Sequence, residues 1–129
     1  MKNFLKSMII ALPVLAGLTA CGKDINPEMI EADWLSKQEL PSKRGFTYWS
    51  LKITQVDDNH YLSSRTSWDV MNDGRKSPVE DWGSESYIVG GKNKLCTDKT
   101  CAMFLLYDEK NKTILSQRAT TQMVFEKGR

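Results

Sequence analysis

Short segments of alternating apolar and polar residues, separated by turn residues, constrain the fold of this chain most strongly. In "GFTYWSLKITQV", residues 45–56, Trp49, Leu51 and Ile53 alternate with polar residues. This is the period of a strand with one buried face. Further strands are predicted at 60–70, 85–89, 101–108, 113–118 and 121–127. In the third of these, five consecutive apolar residues at 102–106 favour a strand buried on both faces. Because neighbours joined by short turns usually pair, we expect about six strands in an antiparallel meander.

A helix is predicted before the first of these strands. Asn26 is a suitable N-cap, and Pro27 fits the first helical position. Apolar residues then recur at helical spacing, at Met29, Ile30, Trp34 and Leu35. Pro41 sets the limit, since the residue before a proline avoids helical geometry. We expect a helix over residues 27–38 and a fold that is mainly β with one N-terminal helix, built as a curled sheet or a small barrel.

The first twenty residues are typical of a secretory signal peptide. "MKNFLK" supplies a short basic start, and "SMIIALPVLAGLTA" follows as an apolar run that ends in small residues. The uncharged run of about fourteen residues is shorter than the roughly twenty that a spanning helix needs. Pro13 also disfavours a stable membrane helix.

The end of this segment, Leu18-Thr19-Ala20-Cys21, resembles the lipobox of bacterial lipoproteins. The resemblance implies cleavage before Cys21, a diacylglycerol on the thiol of Cys21, and palmitate or another acyl chain on its new amino group. Two or three such chains hold a protein firmly on a membrane. Gly22 follows the cysteine in place of an aspartate, which resembles the outer-membrane pattern. The implied location is the outer membrane, facing the periplasm, with the inner membrane as the alternative.

Removal of this segment changes both the organisation and the charge of the chain. Residues 1–20 are the predicted signal peptide, residues 21–26 a lipidated tether, and residues 27–129 one small periplasmic domain. Two of the 18 basic side chains, Lys2 and Lys6, lie in the signal peptide, so the rest balance the 16 acidic ones. A domain without basic excess lacks the charge pattern of a nucleic-acid binder.

Lipidation of Cys21 would leave Cys96 and Cys101 as a pair. Export places them in an oxidising compartment, where disulfides persist. The four residues between them are polar and suit a tight turn, and a bridge there would stabilise the domain by roughly 2 kcal/mol. Two alternatives are weaker: a redox pair usually has the shorter C-x-x-C spacing, and a metal site would need further ligands. We therefore expect a structural disulfide.

The sequence carries no recognisable catalytic set. His60 is the only histidine, and no serine lies in a nucleophile-elbow pattern. The acidic pairs at 57–58 and 80–81 fit solvated loops, and "GKNK" at 91–94 lacks the frame of a phosphate-binding loop and fits a hairpin turn. We expect neither catalytic residues, nor a metal, nor a cofactor, and therefore no enzyme.

Aromatic and arginine residues mark a candidate partner surface. Trp68 and Trp82 flank a polar loop, and Arg65 and Arg75 lie close to them in sequence. Tryptophan and arginine often dominate protein-binding surfaces. The alternative is that both tryptophans pack into the core from strand ends.

Three functions are consistent with these features. The first is an envelope lipoprotein that binds another protein, for example an immunity or inhibitor protein against a toxin or a cell-wall hydrolase. The second is a structural or accessory lipoprotein of a secretion, conjugation-exclusion or envelope-assembly system. The third is a small-ligand binder, which would need a large apolar cavity inside the sheet. The first two rest on size and anchor alone.

Overall fold

The chain folds into a closed antiparallel β-barrel. The computed structural model describes residues 24–128. Within this range, eight strands form one sheet in which each strand pairs with its sequence neighbours, and β1 also pairs with β8. The elements are α1 (Glu28–Glu31), β1 (Trp34–Glu39), a 3₁₀ turn (Pro41–Lys43), β2 (Gly45–Gln55), β3 (His60–Met71), β4 (Glu80–Gly91), β5 (Lys94–Cys96), β6 (Phe104–Asp108), β7 (Thr113–Gln117) and β8 (Gln122–Lys127).

The predicted mainly-β fold is confirmed, and of the predicted architectures the barrel is the one observed. The alternation expected in β2 is also found, because Leu51 and Ile53 are buried while Lys52 and Thr54 are exposed. Two strands, β1 and β5, add to the six expected. The fully buried side chains of the barrel include Trp34, Leu51, Ile53, Tyr61, Leu95, Leu105, Ile114 and Phe125.

The prediction of a helix over residues 27–38 was wrong in its length. The helix α1 ends at Glu31, and residues 34–39 form β1. In β1, Trp34 and Ser36 are buried while Lys37 is exposed. This strand pairs with β2 along its whole length, from Trp34 opposite Leu51 onward. Pairing with a partner strand outweighs the local helical spacing, since tertiary context routinely overrides local preference.

The two ends of the barrel are built differently. The connections at 56–59, 92–93 and 109–112 lie at one end, together with α1, and we call this the plug end. The connections at 40–44, 72–79, 97–103 and 118–121 lie at the other, which we call the open end. Antiparallel pairing throughout the sheet places alternate connections at opposite ends.

Residues 25–31, the N-terminal plug, close the first of these ends. The side chains of Ile25 and Met29 are buried in the barrel core. Trp34 Nε1 donates a hydrogen bond to the carbonyl of Met29 at 3.1 Å. Asn26 Oδ1 accepts a hydrogen bond from the Glu28 amide at 2.9 Å, but the N-cap of α1 is Pro27, one position later than predicted.

Glu28 ties the plug to the strand ends. Its carboxylate accepts hydrogen bonds from Lys127 Nζ at 2.8 Å, from Lys112 Nζ at 3.1 Å and from the Tyr107 hydroxyl. These contacts, the one with Lys127 foremost, lower the pKa of Glu28 to about 2. Burial, together with the Glu28 carboxylate, raises the pKa of Tyr107 to about 12.

We predict that Glu28→Gln removes a pH-dependent part of the stability. A carboxyl group with a lowered folded-state pKa stabilises the fold fully above its ordinary pKa of 4.5, and this stabilisation fades as the pH falls towards about 2. Over that range the unaltered chain should lose more free energy of unfolding than the variant, as measured by urea titration at stepped pH. Glu39→Gln, at an exposed carboxylate of β1, is the control and should leave the pH profile unchanged. Parallel profiles for Glu28→Gln and the unaltered chain would contradict the prediction.

The predicted cysteine pair lies where β5 leads into the 97–103 connection, beside the last residues of β4. The Sγ atoms of Cys96 and Cys101 are 2.19 Å apart, at disulfide distance. Between them, Asp98 Oδ1 accepts hydrogen bonds from the amide of Thr100 at 3.0 Å and from its hydroxyl at 2.6 Å. Gly90 of β4 packs against the pair so closely that a Cβ there would lie 2.2 Å from Cys96 Sγ. Only a glycine fits at this position without displacing the bridge.

Candidate binding site

A pocket of about 420 Å³ lies at the open end of the barrel. Its volume is within the range of ligand-binding pockets. The wall is formed by β2, β3, β4, the start of β8 and the connection that precedes it. The side chains that line it include Trp49, Ser63, Arg65, Trp82, Ser84, Glu85, Arg118, Thr121 and Met123.

Small inward side chains leave room for this pocket. Ser63 and Ser67 of β3 and Ser116 of β7 are buried. Towards the plug end, the next inward positions of the same two strands carry Tyr61 and Ile114, which are fully buried. Since the side chains that point inward fill a barrel of this size, a row of serines leaves the open half incompletely filled.

A β-bulge places Trp82 over the pocket. Ser64 lies opposite Ser84, whereas Thr66 lies opposite Asp81, so β4 carries one extra residue between these pairs. Gly83 supplies the left-handed backbone that the bulge needs, with φ of 81°. The indole of Trp82 is therefore turned towards the barrel axis, where its ring centre lies 5.4 Å from that of Trp49.

Trp82 is both anchored and accessible. Its Nε1 donates a hydrogen bond to the Ser67 hydroxyl at 2.8 Å. The residue nevertheless remains 54% exposed. An indole fixed in orientation and open to solvent loses little conformational entropy on contact with a partner, and aromatic anchors of this kind are frequent in protein interfaces.

An ion pair bridges a gap in the wall of the barrel. β5 pairs only with the end of β4, at 88–91, so the first part of β4 has no partner strand on that side in the described range. Arg118 spans this gap and donates to both carboxylate oxygens of Glu85, at 3.1 and 2.7 Å. The bidentate geometry is the strong form of the arginine–carboxylate interaction.

Tyr87 is a further hydrogen-bond partner of Glu85. Its hydroxyl donates a hydrogen bond to Glu85 Oε1 at 2.6 Å. Burial, and secondarily this hydrogen bond to a carboxylate, raise the pKa of Tyr87, so it remains a neutral donor at physiological pH. The Glu85 carboxylate is therefore held by a phenol from one side and a guanidinium from the other.

Arg65 reaches the pocket from the interior of β3. One of its terminal nitrogens donates to the Ser116 hydroxyl at 2.7 Å. The guanidinium carbon lies 5.6 Å from the centre of the Phe125 ring, within cation–π distance. Its Nε is buried without a hydrogen-bond partner, and within residues 24–128 Arg65 forms no ion pair.

The four residues of the candidate partner surface lie in three places. Arg65 and Trp82 both line the pocket. Trp68 instead stacks on Tyr48, with ring centres 5.7 Å apart. Arg75 lies in the 72–79 loop and pairs with Asp73 at 2.7 Å. The pocket therefore contains two of the four predicted residues, Arg65 and Trp82.

Apart from Arg65 and Trp82, the residues that line the pocket were not predicted as site residues. The sequence predicts Trp49 and Met123 only as apolar residues of alternating strands, and it does not predict Glu85 or Arg118 as part of a site. The sequence carries one sign that Arg65 faces the interior. Tyr61, Ser63 and Arg65 are alternate residues of β3 and therefore lie on the same face of the sheet. The contact between Arg118 and Glu85 depends on the gap beside β4, for which the sequence has no local signal.

His60 lies apart from the pocket. His60 is exposed at the plug end, where its Nδ1 lies 2.8 Å from Asp57 Oδ1. Over residues 24–128 there is no group of three or more histidine, cysteine or acidic side chains placed to hold a metal. In the same range, no helix is both long and apolar enough to cross a membrane.

Comparisons with known proteins identify no relative. No protein-family model matches the chain, and neither a curated protein nor a solved structure does.

We predict that Gly83→Ala disturbs the tryptophan pair as well as stability. A left-handed backbone costs an L-residue with a Cβ about 1–2 kcal/mol. Gly74→Ala is a matched control, because Gly74 also has a positive φ, of 91°, and neither glycine has an atom within 4 Å of an added Cβ. Both variants should lose similar stability in urea. Only Gly83→Ala should change the near-ultraviolet circular dichroism that arises from Trp49 and Trp82, and identical spectra for the two variants would contradict this.

Proposed function

We propose that the chain is an envelope lipoprotein that binds a protein partner through the open end of its barrel. Lipidation at Cys21 holds it on the outer membrane, on the periplasmic side. The partner is a toxin or a cell-wall hydrolase, which the lipoprotein neutralises as an immunity or inhibitor protein. The observation that carries the proposal is the exposed, hydrogen-bonded indole of Trp82 beside a pocket that contains two arginines.

The position of the plug supports an orientation for this binding. Cys21 precedes Asp24, the first described residue, by three positions in sequence. The chain that follows enters the barrel at the plug end through Ile25 and Met29. An anchor at Cys21 therefore favours an arrangement in which the plug end faces the membrane and the open end faces the periplasm.

The composition of the open end supports a protein as the binding partner. Trp49, Trp82 and Met123 provide apolar surface, while Arg65 and Arg118 provide charge and hydrogen-bond donors. Tryptophan, methionine and arginine are the residue types enriched at protein interfaces. The strongest contacts at such interfaces usually come from a few side chains in a partly desolvated centre.

We predict that Cys21→Ser abolishes lipidation. Intact mass spectrometry of the unaltered chain should show a mature protein that begins at Cys21 and carries acyl chains, and the protein should partition into detergent. The serine variant should lack both properties, because a hydroxyl does not replace the thiol in this modification. Thr19→Ser, which keeps a small residue before Ala20, is the control. An unmodified Cys21 in the unaltered chain would refute the anchor.

We predict that the partner contacts position 82. A photo-crosslinking benzophenone amino acid placed at position 82, in cells that produce the full chain, should yield one defined adduct whose protein is identified by mass spectrometry. The same amino acid at position 56 is the control, since Val56 is 58% exposed but lies at the plug end. Adducts of equal yield at both positions, or none at position 82, would contradict binding through the open end.

A further inference from the structure

We propose that the pocket receives the carboxylate of an aspartate or glutamate side chain of the protein partner, with Arg65 as its main contact. This inference rests on the proposed function, because it states which chemical group the partner presents to the open end. It follows from the balance of charge, the unused hydrogen-bond donors and the walls of the pocket.

The charges in the pocket do not balance. Of the residues that line it, Arg65 and Arg118 are cationic and Glu85 is anionic. Arg118 donates hydrogen bonds to both carboxylate oxygens of Glu85, and the Tyr87 hydroxyl donates to one of them as well. The positive charge of Arg65 therefore has no carboxylate counterpart among the residues that the structure describes.

The donors of Arg65 are also incompletely used. A guanidinium carries five N–H donors in a planar fork. One nitrogen binds the neutral Ser116 hydroxyl, and the buried Nε has no partner. Removing a charged group from water is costly unless it is paired and hydrogen-bonded. A carboxylate would supply both the charge and the acceptors, in the geometry that arginine prefers.

The walls of the pocket suit a carboxylate at the end of an apolar stem. Trp49, Trp82 and Met123 form apolar walls, so a methylene chain can lie against them while the charged end meets Arg65. Trp49 Nε1 is a second buried donor without a partner. Low polarity around a paired charge strengthens the interaction between the two groups.

The surroundings favour a partner side chain over a free anion. A small free carboxylate could occupy the pocket but would leave most of Trp82 exposed. A side chain that belongs to a protein surface brings neighbouring residues that cover the indole and exclude water from the ion pair. Central contacts in interfaces are typically shielded by a surrounding ring of this kind.

A pair of probes that differ in one group tests the carboxylate. The full chain in detergent is titrated with N-acetyl-glutamate methylamide and, separately, with N-acetyl-glutamine methylamide, with tryptophan fluorescence and arginine side-chain NMR signals as readouts. We expect the glutamate probe to bind with millimolar affinity, and the neutral probe to bind at least about tenfold more weakly, as loss of a charge-assisted hydrogen bond implies. Equal binding of the two probes, or binding of neither, would overturn the proposal. This comparison needs no variant, so it does not depend on refolding of a mutant.

Two variants then test the role of Arg65. Arg65→Gln should weaken binding of the glutamate probe about tenfold or more. Arg75→Gln, at an exposed arginine that already pairs with Asp73, should leave binding unchanged. Arg65→Lys keeps the charge without the planar fork and should give an intermediate affinity. Unchanged affinity in a folded Arg65→Gln protein would refute the assignment.

Competition distinguishes a partner side chain from a free carboxylate. Excess glutamate probe should lower the yield of the adduct formed at position 82, whereas the glutamine probe should not. Binding of the glutamate probe without such competition would refute the assignment of the pocket to the partner. A partner that crosslinks at position 82 while neither probe binds would leave the proposed function standing and eliminate the carboxylate.

Discussion

The closure of the barrel depends on Trp34. Its backbone lies opposite both Leu51 of β2 and Lys127 of β8, so one residue joins the first strand to the second and the last. Its fully buried indole donates to the Met29 carbonyl and meets the Tyr107 ring edge-on, with ring centres 5.7 Å apart. Since β1 and β8 share only two residue pairs, the seam is short. The plug and the core at this end therefore compensate for the hydrogen bonds that a longer pairing between β1 and β8 would provide.

The interior of the barrel has an apolar half and a polar half. The apolar half supplies most of the core packing, and the polar half contains the candidate binding site. Near the plug, large side chains such as Trp34, Ile53 and Ile114 are fully buried. Near the open end, serines and two arginines replace them. A domain of about a hundred residues has a modest core. Because the apolar contacts are concentrated in one half, the other half can hold charged groups, and the Glu85–Arg118 ion pair lies there.

Strands and turns that show in the local pattern of apolar and polar residues could be predicted from the sequence. Contacts that form only when the sheet closes into a barrel could not. The buried face of β2 and the turns between strands follow from alternation and turn residues. β1 was missed because Trp34 and Leu35 also fit a helical stripe, and only pairing with β2 decides between the two readings. Among the site residues, Arg65 and Trp82 could be predicted from their chemistry, because arginine and tryptophan are frequent at protein-binding surfaces. Glu85 and Arg118 are 33 positions apart and meet beside the part of β4 that β5 leaves unpaired.

The position of the charged Arg65 side chain inside the barrel is the strongest reason to regard the open end as functional. Arg65 is half-buried, and a methionine or leucine at this position could pack against Phe125 without the cost of partly desolvating a charge. The serines around it, Ser63 and Ser116, likewise forgo apolar contact that larger side chains would provide. Several neighbouring polar or charged side chains in a core lower stability, and such groups are expected at functional sites. In this barrel those positions converge on one pocket, beneath the one tryptophan that is anchored at its rim and open to solvent within the described chain.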